Sequence, residues 1–147
     1  MGLLVGLFAM SLFDARYFVI PDGPLLFLLA AGFGTCVALT PEDSGARLAA
    51  AVLGFAALRS VAYGYEALRG APGVGEGDAR LFAVAGIWVG FAGLPSCLIY
   101  AVFSALVAAV IALRQGSLES ARAPLPFGPH LAFGLWLCWT AGPIEFG

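Results

Sequence analysis

The chain has 147 residues, enough for one domain; 61% are hydrophobic, only 11% are charged, and the mean hydropathy is +0.97. A soluble domain carries roughly 25% charged residues, and a surface this poor in charge would aggregate in water, so the composition excludes a soluble protein and points to an integral membrane protein. A net charge of −2 leaves no basic footprint, which excludes nucleic acid as a partner.

A spanning helix needs about 20 mostly apolar residues, and six stretches approach that length. In chain order they are Gly2–Val19, Pro24–Leu39, Ala46–Leu68, Ala79–Gly93, Leu94–Leu113 and Phe127–Ile144. The N-terminal stretch MGLLVGLFAMSLF lacks the positive n-region of a signal peptide and reads as a retained first span. The fourth and fifth stretches meet at Gly93-Leu94-Pro95, a sequence that predicts a tight turn. The expected architecture is all-α: one polytopic membrane domain over residues 1–147, with six transmembrane helices. Cys36, Cys97 and Cys138 lie far apart in apolar runs, form no CxxC or Cys/His cluster, and read as buried thiols rather than metal ligands.

Six spans put both termini on one side. The loops after spans one, three and five hold Arg16, Arg69, Arg80, Arg114 and Arg122, whereas the termini side holds only Arg47, beside Glu42 and Asp43. By the positive-inside rule those three loops are cytoplasmic and both termini periplasmic. The same sorting puts Asp14, Asp22, Glu66, Glu76, Asp78 and Glu119 on the cytoplasmic side. Asp14, in LFDARYFVIPD, and Asp78, where GVGEGD opens span four, both fall near the membrane boundary.

An ionisable group in or near hydrocarbon is costly and marks a functional candidate. Two carboxylates brought together share one proton and titrate as a pair, which is what aspartic proteolysis needs. One carboxylate takes a proton from the attacking water, and the protonated one donates to the peptide carbonyl. Gly73, Gly75 and Gly77 lack Cβ atoms and can take positive φ, so they let a substrate backbone approach Asp78 and let the loop move toward Asp14. The bland alternative is an ordinary interhelical loop with Asp78 as the N-cap of span four.

Asp14-Ala15-Arg16 followed by Ile20-Pro21-Asp22 resembles the first aspartate motif of the type IV prepilin peptidases. Gly73-Val74-Gly75-Glu76-Gly77-Asp78-Ala79-Arg80-Leu81 looks like their second motif, in which the Arg80 position is often Lys. Leu125-Pro126-Phe127-Gly128-Pro129 is similar to their Pro-Phe-Gly-Pro segment. Order, spacing and span placement agree over nearly the whole chain. The resemblance implies a membrane aspartic endopeptidase, related in motif to the GxGD intramembrane proteases. Such enzymes cut the basic leader from prepilins or pseudopilins at the cytoplasmic face of the inner membrane. Asp14 and Asp78 would be the catalytic pair, with Gly75, Gly77, Arg16 and Arg80 as loop and substrate supports. No metal and no organic cofactor are expected; the partners are the leader peptide and the lipid bilayer. Longer members carry a four-cysteine zinc domain and N-methylate the new terminus. With 13 residues before Asp14 and no Cys pair, the expectation here is the peptidase core without methyl transfer. The alternatives from other classes are a small proton-coupled transporter and a non-catalytic assembly scaffold.

The remaining polar residues have plainer readings. Asp22 reads as an N-cap, Glu76 as a solvated loop acid, and Arg16 and Arg80 as snorkelling side chains or substrate contacts. Arg59 lies inside span three with no partner apparent from sequence, and His130 reads as structural. Pro126 and Pro129 read as the start of span six. Gly2-xxx-Gly6 and Gly86-xxx-Gly90 offer smooth faces that would draw spans one and four together.

Overall fold

The structure, a computed structural model, describes residues 22–70, 75–115 and 127–144. The described residues form helices and their connections, without a strand. Helix α1 is Asp22–Leu39, a 3₁₀ turn covers Pro41–Asp43, α2 is Ser44–Arg69, α3 is Glu76–Arg114 and α4 is Gly128–Ala141. Helices α1, α2 and α4 overlap the second, third and sixth expected stretches, and α3 covers the fourth and fifth together; Gly2–Val19 lies outside the described residues. The 3₁₀ turn Pro41–Asp43 together with α2, and likewise α3, are long and apolar enough to cross a membrane, and α1 is a shorter apolar helix.

Local chemistry sets the ends. Pro41 pushes Thr40 out of the helical region, to φ −142°, and stops α1. Gly70 ends α2 in the left-handed region at φ 67°, its N–H donating to the Glu66 carbonyl at 2.8 Å.

Helix α3 contains 39 residues, which would be about 58 Å if straight, twice the ~30 Å hydrocarbon thickness. It is not straight. Gly90 sits at φ 66°, ψ −171°, a region open essentially only to glycine, and the chain bends sharply there. A Cβ built on Gly93 would lie 2.4 Å from the Val89 Cβ, whereas that pair stands about 5–6 Å apart in a regular helix. Leu94 returns to the same seat against Gly54 that the Phe82 carbonyl occupies, although twelve residues of straight helix would separate them by about 18 Å. This corrects the turn expected at Gly93-Leu94-Pro95. Pro95 lies inside the helix beyond the bend. Gly93 is small because Val89 and the Cys138 thiol crowd it.

The bend frees carbonyls at the end of the 76–89 segment, and Arg47 takes them. Its Nη1 donates to the Ile87 carbonyl at 3.2 Å and to the Trp88 carbonyl at 2.6 Å. A cation is the right group for the negative end of a helix. We expect Arg47→Met to lose about 2 kcal/mol, the range for hydrogen bonds to a charged donor, and Arg47→Lys to recover part of it; thermal unfolding in detergent measures both.

Registers fix the packing. Gly54 faces Phe82, and Gly86 faces Ala50 and Ala51, so α2 runs antiparallel to the first half of α3. Gly134 faces Cys97 and Ala101, Cys138 donates to the Gly93 carbonyl, and His130 meets Ser104, so α4 runs antiparallel to the second half. One core joins both halves through Leu28, Leu81, Val84, Cys97, Leu131 and Leu135. Gly86 is therefore used against α2, and Gly90 forms the bend, where a Cβ would meet nothing within 4 Å. Apolar side chains also face outward, Phe27, Val52 and Phe103 among them, as suits helices surrounded by lipid. The bundle has two polar ends: Arg47, Glu42 and Asp43 lie at the end with Gly90, and Arg69, Glu76, Asp78, Arg80 and Arg114 lie at the other.

Candidate active site

Asp78 lies on the first turn of α3, at the end opposite the bend. Gly75 is the N-cap, extended at φ −65°, ψ 148°, which makes Asp78 the third helical residue rather than the N-cap. Its N–H donates to the Gly75 carbonyl at 3.1 Å. The side chain is 8% exposed, the one buried acid among the described residues, and it turns back over its own N-terminus. A Cβ placed on Gly75 would sit 3.5 Å from Asp78 Oδ2. The positive end of the helix dipole therefore lies at this carboxyl.

The glycines differ from the sequence reading. Gly75 has negative φ and Gly77 is helical, while the described positive-φ glycines are Gly70, Gly90 and Gly142. Beside Asp78, then, Gly75 contributes the absence of a side chain rather than an unusual backbone. Gly73 and Val74 lie outside the described residues, as do Asp14 and Arg16 and the Asp22 side chain.

Glu76 and Arg80, one turn apart on α3, form an ion pair at 2.6 Å with both side chains about half exposed. Glu76 is thus a helical, paired acid rather than a loop acid, and Arg80 stays beside the Asp78 turn. Such an exposed pair contributes little stability.

At the start of α4, Phe127 is the N-cap and Pro129 stands in the first turn, as expected for a helix start; Leu125 and Pro126 lie outside the described residues. His130 Nδ1 is 3.0 Å from Ser104 Oγ, which itself donates to the Ala101 carbonyl at 2.9 Å. This contact ties α4 to α3, the structural role read from sequence. Arg59 has a partner that was missed: its Nη2 donates to the Tyr63 hydroxyl at 3.0 Å, and its guanidinium lies 4.6 Å from that ring's centre. The i, i+4 spacing was the available signal. No group of three His, Cys, Asp or Glu side chains converges among the described residues.

Residues 1–111 match the type IV leader peptidase family. The chain is 38% identical over 142 residues to the prepilin leader peptidase/N-methyltransferase of Pseudomonas aeruginosa, covering 93% of this chain and 47% of that protein. It is 36% identical to the protein of the same description from Burkholderia pseudomallei, covering 90% of this chain and 43% of that one. The leader peptidase HopD of Escherichia coli is 33% identical over 121 residues, which are 82% of this chain and 78% of HopD. The chain thus spans about half the length of the peptidase/methyltransferases it resembles. No solved structure matches it.

Proposed function

We propose, from the premise that this chain belongs to the type IV leader peptidase family, that it is a membrane aspartic endopeptidase removing the leader of type IV prepilins or pseudopilins. The observation that carries the reading is the buried Asp78 carboxyl on an open first turn, with Gly75 beside it. Asp78 and Asp14 act as the pair. One removes a proton from water as it attacks the scissile carbonyl; the other protonates the carbonyl oxygen and then assists the leaving amine. Arg80, held beside the site by Glu76, and Arg16 support the loop and the substrate.

The single domain has six spans. Arg69, Arg80 and Arg114 at the Asp78 end, against Arg47 at the other, support a cytoplasmic site in the inner membrane with periplasmic termini.

The test is cleavage of a prepilin by purified protein in detergent micelles, read as the mass of the trimmed product. Wild type is expected to remove the leader without a proton gradient, and Asp14→Asn to leave it intact. No cleavage across a panel of prepilins would bring the transporter or scaffold forward.

Gly75→Ala gives a sharper check. Its φ and ψ suit any residue, and the new methyl would meet Asp78 at ordinary contact distance. The loss of stability should stay near the ~1 kcal/mol of a poorer N-cap, while kcat/KM falls by about tenfold or more, the loss expected when a substrate backbone is displaced by about an ångström.

A further inference from the structure

A second polar feature lies at the bend end of the bundle, away from Asp78. A cleft of about 260 Å³ opens there among Thr35 and Leu39 of α1, Thr40, Arg47 of α2, Trp88 of α3 and Trp139 of α4. The Trp88 and Trp139 rings meet edge to face, with centroids 6.0 Å apart, and Trp88 Nε1 is committed to the Leu28 carbonyl at 3.0 Å. Arg47 supplies the charge. A guanidinium has five N–H donors, and both described bonds of Arg47 come from Nη1, so Nη2 and Nε carry no described bond on a residue that lines the cleft. Asp43 stands four residues before Arg47, the spacing of a helical ion pair, yet the described ion pair of the chain is Glu76–Arg80. Arg47 reaches into the bundle instead, and the exposed Glu42 and Asp43 lie in the 3₁₀ turn between Thr40 and Arg47, two residues that line the cleft, without a described cation.

This arrangement also marks a membrane boundary. Leu39 is 79% exposed, and the acids begin three residues later. Two tryptophans at that level fit the interfacial belt, where amphipathic rings meet headgroups.

We propose that the cleft binds one phospholipid with a primary-ammonium headgroup, of the phosphatidylethanolamine class. The phosphate lies on the free edge of Arg47, whose planar fork matches phosphate oxygens. The ammonium donates to Glu42 and Asp43, and an acyl chain follows Leu39 down α1. Free phosphate would face two carboxylates with one cation to hold it, whereas this headgroup brings its own positive charge. Choline carries no N–H for the carboxylates, and an uncharged glycerol headgroup leaves the acids unmatched. The proposal rests on the membrane reading and is independent of proteolysis.

The test is native mass spectrometry of the detergent-purified protein with dioleoyl lipids bearing ethanolamine, choline or glycerol headgroups. Wild type should retain one ethanolamine lipid at about tenfold lower concentration than the others, a preference typical of a charged hydrogen-bonded pair. Thr35→Trp fills the cleft while keeping Arg47 in the chain and should abolish that preference, as should Arg47→Met. Glu42→Gln with Asp43→Asn should make ethanolamine and choline lipids equal while retaining both. Equal retention of all three lipids by wild type, or an unchanged preference in Thr35→Trp, overturns the site. Displacement of the lipid by millimolar inorganic phosphate, with an equal rise in melting temperature, reassigns it to a free anion. Carbonate washing separates the two levels: a protein that stays in washed membranes but shows no preference loses only the lipid site, and one that is released loses the membrane reading too.

Discussion

Asp78→Asn is expected to insert and fold but to leave prepilin uncut, with a rate lower by about 10²–10⁴-fold or more, the range for loss of a general acid or base. Asn keeps the size of the side chain and the hydrogen bond from its N–H to the Gly75 carbonyl, 3.1 Å long in wild type, but it can neither take nor give the proton. The double variant Asp14→Asn/Asp78→Asn is the stronger measurement. Two groups sharing one proton act as a unit, and removing either costs nearly as much as removing both. If the double variant is no slower than either single, the two aspartates form one machine. If the losses multiply, they act independently, and the shared-proton reading fails. Product mass after a fixed incubation reads all four proteins, and melting in detergent shows that each is folded.

The helices were legible in the sequence because lipid demands long apolar runs, and α1, α2 and α4 lie where hydropathy put them. The bend was misplaced for a physical reason. Pro95 is a visible signal, but a proline near the start of a helical segment is tolerated, while the residue that turns the chain is one of 20 glycines with nothing in its neighbours to single it out. Arg47 was hidden for a related reason. Its partners are two backbone carbonyls, freed only because the helix breaks at Gly90, and a backbone acceptor carries no residue code. The Asp78 motif was readable, but its role on the turn was not: Gly75 took the cap position, which let the aspartate fall one turn inward and become buried. The spacing of Arg59 and Tyr63 could have been read, since side chains four apart on a helix meet.

Gly86→Ala is expected to be among the most damaging small changes in the described bundle, and it runs against the usual sign. In an open helix position, Gly→Ala stabilises by about 0.5–1 kcal/mol, because glycine has more backbone freedom to lose. At Gly34 and Gly64 a Cβ would meet nothing within 4 Å, and alanine there should hold or raise the melting temperature. At Gly86 the added carbon would lie 2.5 Å from the Ala51 nitrogen and 2.6 Å from the Ala50 carbonyl carbon. Both are backbone atoms inside a helix, so no rotamer change relieves the clash. Either α2 and α3 separate or α3 turns about its axis, and overpacking of this kind costs about 3 kcal/mol, the upper end of its usual range. Asp78 is on the same segment, two turns away, so a shift of α3 also moves the carboxyl. The folded fraction of Gly86→Ala should therefore melt below wild type and cleave more slowly per folded molecule, since small misplacements of catalytic groups are costly. Melting in detergent, with Gly34→Ala beside it, decides the point: equal melting temperatures for the two variants would mean that α2 and α3 are not packed backbone to backbone at Gly86.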